Sequence, residues 1–397
     1  MKKILSIILV AIMLVAVCAG CGEKGNVIKI GVFEPATGEN GAGGMQEVLG
    51  IRYANTVAPT ITLNGTEYEI ELVEVDNQSD KSAAVTAAQK LVSEKVIGVL
   101  GSYGSGVSIA AGNTFKEAKI PAIGCSCTNP QVTQGNEYYY RVCFLDPFQG
   151  YVIASYAYSN CGFKTAAVIS QNGDDYSTGV ANYFIEAFEG LGGKIVYNAT
   201  YNTNETDFNA ILTAAKAAEP EVYVIPSSIA TAGLVIKQAR ELGITETLAA
   251  SDTWENATIM ENAGAENCNN VVFTTFFDEN DAAAAEFVNG FKAYLNGNKE
   301  ALTLNGGIDT VAAVSALGYD AYMTMYEGLK ALDGKEITGE NLKDALAGVE
   351  ITGVTGSISF DENGDANKDM AYIKEMKDGK FNFLGTQTTD GKFNAAK

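Results

Sequence analysis

Short apolar segments alternate with helical segments along most of this chain, and the alternation restricts its fold more than any other feature. In the first part, a glycine-rich turn at 37–44 leads into a helix predicted from Met45, and 96–100 is apolar throughout, as in a strand buried on both faces. The predicted strands are 28–33, 69–75, 96–100 and 120–123, and the helices between them include 80–93 and 105–118. Strands that alternate with helices favour a parallel sheet covered by helices, so we predict an α/β fold.

The same alternation resumes in a second unit at about 148–276. Its predicted strands are 165–169, 194–197, 221–225, 248–250 and 271–276, and its helices are 176–191, 208–218 and 230–242. Longer helices at 282–295 and 309–331 come next, then a shorter one at 342–347. The tail at 356–393 carries hairpin turn signals at 361–364, 378–379 and 390–391. Two α/β units without a long linker predict two lobes.

The charged and titratable residues exclude several functions. The 397 residues include 27 basic and 48 acidic side chains and no histidine, which gives a formal charge of −21. An acidic surface repels phosphate backbones, so nucleic acid is not an expected partner. Without histidine, the chain has no Ser-His-Asp triad, no Cys-His pair and no histidine-ligated metal. We therefore expect no enzyme, no cofactor and no metal, although pairs of carboxyl groups remain an alternative for acid–base chemistry.

The N-terminus reads as an export signal. Lys2 and Lys3 precede an apolar run at 4–17, which is shorter than the roughly 20 residues that span a bilayer. The next segment, Val17-Cys18-Ala19-Gly20-Cys21, resembles a bacterial lipobox, although Cys18 stands where leucine is usual. The resemblance implies a signal peptide at 1–20, lipidation of Cys21 and a tether at 21–26. An ordinary signal peptide cleaved nearby is the alternative.

The remaining cysteines leave two possibilities open. Five lie in the body of the chain without Cys-x-x-Cys spacing: Cys125, Cys127, Cys143, Cys161 and Cys268. One or two disulfides are possible in an exported protein, and buried free thiols are the alternative.

Polar residues directly after the predicted strands mark where a ligand is expected, because open α/β sheets bind ligands beyond the carboxyl ends of their strands. Ser105 ends a glycine-rich loop that leads into a helix, and Thr128 lies after the next strand. Backbone N–H groups and hydroxyls in such loops suit a carboxylate, while ordinary helix caps are the alternative. In the second unit, Asp252 lies after a strand and is an acid able to pair with an ammonium group. Tyr176 starts a predicted helix of this unit, and Ser228 lies at the end of another of its strands.

Several short segments in order resemble the substrate-binding lipoproteins of ABC importers, in the branched-chain amino-acid-binding group of the type I periplasmic-binding-protein fold. They run along nearly the whole chain: Ile28-Lys29-Ile30-Gly31-Val32, 101–105, Thr128-Asn129-Pro130, Asp174-Asp175-Tyr176, 238–243 and 360–365. The resemblance implies that Ser105 and Thr128 bind the α-carboxylate of an amino acid. It implies that the backbone carbonyl of Ser126 and the carboxylate of Asp252 bind the α-ammonium group, and that Tyr176 forms a wall of the cleft.

The chain departs from that family at the side-chain pocket. The first loop commonly has a Tyr-Gly pair, and here it reads Ala42-Gly43-Gly44. Ser228 stands where the family has a further tyrosine. The clamp for an α-amino acid is thus kept, whereas specificity for leucine, isoleucine and valine is placed in doubt.

The resemblance also implies two doubly wound, Rossmann-like lobes joined by a hinge of three crossover strands. Lobe 1 would comprise 27–145 and 277–354, and lobe 2 would comprise 146–276 and 355–397. The expected function is capture of a branched-chain or related small amino acid between the lobes and its delivery to an ABC permease with its ATPase. We expect a monomer on the outer face of the cytoplasmic membrane, held there only by the lipid. A sensory binding protein that presents its ligand to a receptor is the alternative.

Overall fold

The computed structural model describes residues 25–396 and contains the predicted alternation of strands and helices. Cys21, the signal peptide and most of the tether lie outside the described residues. The first part contains these elements: β1 (Val27–Glu34), α1 (Gly41–Val57), β2 (Thr60–Leu63), β3 (Thr66–Asp76), α2 (Lys81–Ser93), β4 (Gly98–Leu100), α3 (Ser105–Glu117), β5 (Ala122–Gly124) and β6 (Tyr139–Arg141).

The second α/β unit comes directly after β6. Its elements are α4 (Asp146–Ser155), β7 (Thr165–Gln171), α5 (Asp175–Gly190), β8 (Lys194–Tyr201), α6 (Asn209–Ala217), β9 (Val222–Val224), α7 (Ile229–Glu241), β10 (Thr247–Ala250), α8 (Ala257–Ala263) and β11 (Val271–Thr275).

Four further helices and five strands complete the described chain. They are α9 (Ala285–Gly297), α10 (Lys299–Leu304), α11 (Ala313–Lys330), α12 (Gly339–Leu346), β12 (Ile351–Gly353), β13 (Gly356–Ile358), β14 (Met370–Lys377), β15 (Lys380–Thr388) and β16 (Phe393–Ala395).

The strands form two large sheets, and each is the centre of one lobe. Lobe 1 has six strands in the order β2-β3-β1-β4-β5-β6, parallel except for the edge strand β2. Helices α1 and α11 pack against each other in lobe 1, as do α2 and α3. Lobe 2 has eight strands in the order β16-β15-β14-β11-β10-β9-β7-β8, with the antiparallel strands β14–β16 beside a parallel core.

The chain passes between the lobes three times, after β6, after β11 and after β13. Buried charges lie at these crossings. Arg141 Nε lies 2.6 Å from Asp365 Oδ1, and Lys374 Nζ lies 2.6 Å from Glu255 and 3.3 Å from Asp278. Because each charge has a partner of opposite sign, the crossings can be buried without leaving an isolated ion. The predicted α/β class, the two lobes and the three crossings are confirmed.

Several predicted boundaries were wrong. The first helix begins at Gly41, not Met45, and the last long helix begins at Ala313, not at 309. Helix α4 was missed, although Pro147 in its first turn fits a helix start. The β2–β3 hairpin and the short β12–β13 pair were missed as well. The turns at 361–364, 378–379 and 390–391 are present as predicted.

The structure shows whether the cysteines are free and whether any described helix could cross a membrane. Cys125, Cys127, Cys143 and Cys268 are buried free thiols, and Cys161 is an exposed free thiol. Of the two possibilities left open by the sequence, free thiols are therefore present and disulfides are not formed by these five cysteines. Within residues 25–396, no helix is long and apolar enough to cross a membrane.

Candidate functional site

A cavity of about 240 Å³ lies between the two lobes, at the carboxyl ends of strands from both sheets. Lobe 1 supplies the segments after β1, β3 and β4, and lobe 2 supplies those after β7, β8, β9 and β10. Of the predicted site residues, four line this cavity: Ser105, Tyr176, Ser228 and Asp252.

Ser105 is the first residue of α3 and brings the amino end of that helix to the cavity. The preceding Gly104 offers no side-chain cap, so the first turn of the helix keeps N–H groups without side-chain acceptors. The Ser105 Oγ accepts a hydrogen bond of 3.2 Å from the N–H of Asn129. A helix amino terminus with an adjacent hydroxyl favours a bound anion such as a carboxylate.

Ser126 and Thr128 lie behind Ser105, in the loop that contains Asn129, and both are buried. Neither is part of the cavity wall. The Ser126 hydroxyl donates to Glu47, and the Thr128 Oγ1 has no hydrogen-bond partner among the described residues. Their assigned roles toward the ligand therefore stay predictions.

Asp252 is a buried carboxylate on the lobe 2 side of the cavity, with 3% of its surface exposed. Tyr176 donates its hydroxyl to Asp252 Oδ1 at 2.8 Å, and the Gln149 amide donates to the same oxygen. Among residues 25–396, Oδ2 receives no hydrogen bond, which leaves it for a ligand donor. Burial raises the pKa of Asp252 to about 7, against the opposing effect of these two hydrogen bonds. An ammonium group placed here would restore the carboxylate form.

Ser228 caps helix α7, because its Oγ accepts the N–H of Thr231 at 3.3 Å. Lobe 1 completes the same helix end. The Ile229 N–H donates to Asn40 Oδ1 at 3.2 Å, and the Ala230 N–H donates to the carbonyl of Glu39 at 3.1 Å. Ser228 thus lies where the two lobes meet.

Two buried acids that sequence reasoning missed lie next to the cavity. Glu34 ends β1 and accepts the N–H of Tyr103 at 2.7 Å, and Glu47 lies in α1. Both are buried, and burial raises the pKa of Glu47 to about 7 and that of Glu34 well above its usual range. Together with Cys125 they could offer donors to a metal ion. The raised pKa values favour retained protons, which compete with a metal.

Tyr103 explains why Gly43, near the start of α1, is a glycine. Its ring lies so close to Gly43 that a Cβ there would be 2.4 Å from a ring carbon. Tyr103 also lines the cavity. The Tyr103 ring, which belongs to the β4–α3 loop, therefore occupies the space that a side chain at Gly43 would fill.

Polar contacts across the cleft hold the lobes together. Lys81 Nζ from lobe 1 lies 2.8 Å from Asp175 Oδ2 in lobe 2 and donates to the carbonyl of Gly173. The Gln171 amide of lobe 2 donates to Glu39 Oε2 at 3.2 Å. Sequence reasoning missed these residues because no motif links them before the lobes are placed together.

Comparisons with known proteins give the same family as the sequence resemblance. The chain matches the family described as periplasmic binding protein over residues 27–380. It is 28% identical to Leu/Ile/Val-binding protein homolog 1 of Brucella abortus, over 94% of this chain and 97% of that protein.

Solved structures extend the comparison. A leucine-binding protein LivK from Thermotoga maritima is 33% identical, with a TM-score of 0.84 over 92% of this chain and all of the other. The branched-chain amino acid transporter substrate-binding protein LivJ from Streptococcus pneumoniae, in complex with isoleucine, is 29% identical. Its TM-score is 0.80, over 90% of this chain and 99% of that chain. The chain therefore belongs to the periplasmic binding protein family, as a type I member of the branched-chain amino-acid-binding group.

Proposed function

We propose that the protein captures an α-amino acid in the cavity between its lobes and delivers it to an ABC permease. The observation that carries the proposal is the pairing of a helix amino terminus at Ser105 with the buried carboxylate of Asp252, on opposite lobes of one cavity. An α-amino acid has the matching pair of charges, a carboxylate and an ammonium group. The Streptococcus pneumoniae relative in complex with isoleucine supports this ligand class.

In this proposal, the α-carboxylate accepts hydrogen bonds from the first turn of α3 and the Ser105 hydroxyl, and Thr128 joins from the loop behind. Asp252 Oδ2 and the carbonyl of Ser126 accept hydrogen bonds from the α-ammonium group. Tyr176 holds Asp252 through its hydroxyl and so fixes the direction of the carboxylate. No covalent step is involved, so the absence of histidine from the sequence agrees with the proposal.

We place the protein outside the cytoplasm, on the outer face of the cytoplasmic membrane, as a monomer anchored by lipid on Cys21. The division into lobe 1 (27–145 and 277–354) and lobe 2 (146–276 and 355–397) belongs to the same proposal. It is supported by α11, which packs on α1, and by β14–β16, which join the lobe 2 sheet.

A calorimetric titration of the common amino acids into the purified protein tests the proposal. We expect one-to-one binding of at least one of them. Asp252→Asn should weaken that binding by about 2–5 kcal/mol, because a buried ammonium group loses its charged partner. The control is Asp207→Asn, since Asp207 is an exposed aspartate that lies outside the cavity. Failure of every amino acid to bind would contradict the proposal.

A sensory binding protein would use the same cavity, and the two roles differ in the fate of the captured ligand. If the protein serves import, cells that lack its gene lose uptake of the bound amino acid. If it serves sensing, uptake continues and only the response to that amino acid is lost.

A further inference from the structure

The cavity wall is strongly acidic beyond the groups that an α-amino acid would use. Five of the residues that line it are acids: Glu39, Asp80, Asp174, Asp175 and Asp252. Lys81 is the only basic residue lining the cavity within the described part of the chain, and it pairs with Asp175 at 2.8 Å. If Asp252 binds the α-ammonium group, then Glu39, Asp80 and Asp174 remain without a cationic partner among residues 25–396.

Glu39 and Asp174 line the same cavity from opposite lobes. Glu39 is held by the Gln171 amide, and Gln171 lies three residues before Asp174 in the chain. Asp174 caps α5 through Oδ1 alone, which accepts the N–H groups of Tyr176 and Ser177. Burial raises the pKa of Asp174, and the negative charges of Glu39 and Asp175 raise it further. The N–H groups of the helix start lower the pKa of Asp174. Its pKa is nevertheless raised, because burial and the surrounding negative charge together outweigh that effect.

Few of the side chains that line the cavity are large and apolar. Pro35, Tyr103, Val107 and Tyr176 are the larger apolar or aromatic residues lining the cavity among residues 25–396, and Tyr176 directs its hydroxyl to Asp252. Acids, amides and hydroxyls supply most of the other side chains of the wall. Burying an aliphatic side chain against carboxylates leaves their charges without solvent and without a partner.

We infer that the ligand is an amino acid whose side chain ends in a cation, and that Glu39 and Asp174 bind that end from the two lobes. This inference rests on the proposed capture of an amino acid and names the class of its side chain. The geometry assigns Ser105 and Asp252 to the backbone of the ligand, and the Glu39–Asp174 pair to its tip. A cation between the two carboxylates would also draw the lobes together, because each carboxylate belongs to a different lobe.

Calorimetry with ligand pairs matched in shape tests the inference. Lysine is compared with norleucine, which lacks the terminal amine, and arginine with citrulline, which replaces the guanidinium by a neutral urea group. We expect lysine or arginine to bind at least tenfold more tightly than its neutral counterpart. Stronger binding by norleucine, citrulline or leucine would overturn the inference and leave amino-acid capture standing. Failure of all amino acids to bind would overturn both.

Substitutions of Glu39 and Asp174 test whether these two carboxylates bind the cationic end of the ligand. Glu39→Gln and Asp174→Asn should each reduce the preference for the cationic ligand over its neutral counterpart by at least fivefold. Asparagine at 174 keeps an oxygen that caps α5, so the helix start is retained. Asp207→Asn, on the surface, should keep the preference of the parent protein. Melting temperatures identify any variant that fails to fold, in which case the other variant decides. An unchanged preference in a folded variant would overturn the assignment.

Discussion

At the scale of single residues, the cleft is marked by carboxyl groups that are buried close to one another. Burial raises the pKa of Asp252 and Glu47 to about 7 and that of Asp146 to about 8. The charges interact, because Asp252 raises the pKa of both Glu47 and Asp146. The nearby Arg141 directs one guanidinium nitrogen at the carbonyls of Cys127 and Asn129. The charge of the cleft therefore depends on pH near neutrality.

The affinity for an amino acid should fall as the pH is lowered through 7. Only the carboxylate form of Asp252 attracts an ammonium group, and a pKa of about 7 means that this form is dominant at pH 8 and minor at pH 6. We expect about a tenfold loss of affinity from pH 8 to pH 6, measured by calorimetry. The same titration in buffers of different ionisation enthalpy should detect proton release on binding near pH 7.

Asp252→Asn is the control for the pH effect, because asparagine does not titrate. Its weaker binding should depend less on pH than that of the parent protein. The dependence that remains would come from Glu47, Asp146 and Glu255, whose charges face Asp252. Binding by the parent protein that is constant from pH 6 to pH 8 would contradict the role given to Asp252.

At the scale of elements, the strands and most helices could be predicted because their signals are local. Continuous apolar runs identified the buried parallel strands, and Asp80 and Asp174 are side-chain caps at helix starts. The start of α1 could not be predicted, because Gly41–Gly44 resemble a loop until their neighbours are known. A Cβ at Gly44 would lie 2.2 Å from the carbonyl oxygen of Pro35. The glycines there serve close packing within a helix.

The candidate site shows the same division between local and distant signals. Ser105, Tyr176, Ser228 and Asp252 were found because each lies near a strand end or a helix start. Glu39 and Lys81 were missed because their partners belong to the other lobe. Glu34 and Glu47 were missed for another reason, since a glutamate in a sequence is ordinarily a surface residue.

Helices α1 and α11 approach closely enough that a methyl group between them should be costly. A Cβ at Gly50 would lie 1.9 Å from the carbonyl oxygen of Ser315, and one at Gly318 would lie 2.3 Å from that of Glu47. Gly50→Ala or Gly318→Ala should therefore lower the free energy of unfolding by about 1–3 kcal/mol, because backbone atoms must move apart. Urea unfolding measures the change.

Gly190→Ala is the matched control for these helix glycines. Gly190 ends α5, and a Cβ there would meet no atom within 4 Å. Alanine at this position should leave stability unchanged or raise it by up to about 1 kcal/mol, because alanine favours the helix. Equal effects of Gly190→Ala and Gly50→Ala would contradict the packing argument.

At the scale of the whole molecule, two lobes are joined by three crossings and meet again across the cavity. The second set of contacts is polar, with Lys81 to Asp175, Gln171 to Glu39, and Asn256 to Gln46 at 3.0 Å. Polar contacts exchange readily for water, so they can hold a closed form without making it permanent. Such a balance suits a protein that must release its ligand.

Lys81→Met should weaken ligand binding about twofold to fivefold by removing one contact across the cleft. The effect should be small because Lys81 and Asp175 are partly exposed, with side-chain exposures of 51% and 32%, and such pairs contribute about 0.5–1 kcal/mol at most. Calorimetry at low salt gives the affinity, and small-angle scattering of the ligand-free variant should show a more open shape. Lys119→Met is the control, because Lys119 pairs with Glu340 away from the cavity wall. An equal loss of affinity in both variants would contradict a role for Lys81 in closure.

Helix α7 begins in lobe 2, but two of its first N–H groups are bonded to Asn40 and Glu39 of lobe 1. When the lobes separate, these two amides must find water, and only the Ser228 cap stays with the helix. An open form would therefore differ from the form described here in the hydration of this helix end as well as in the angle between the lobes. The free-energy difference between the two forms would then include a contribution from water at this helix terminus, and that contribution would be the same for any bound ligand.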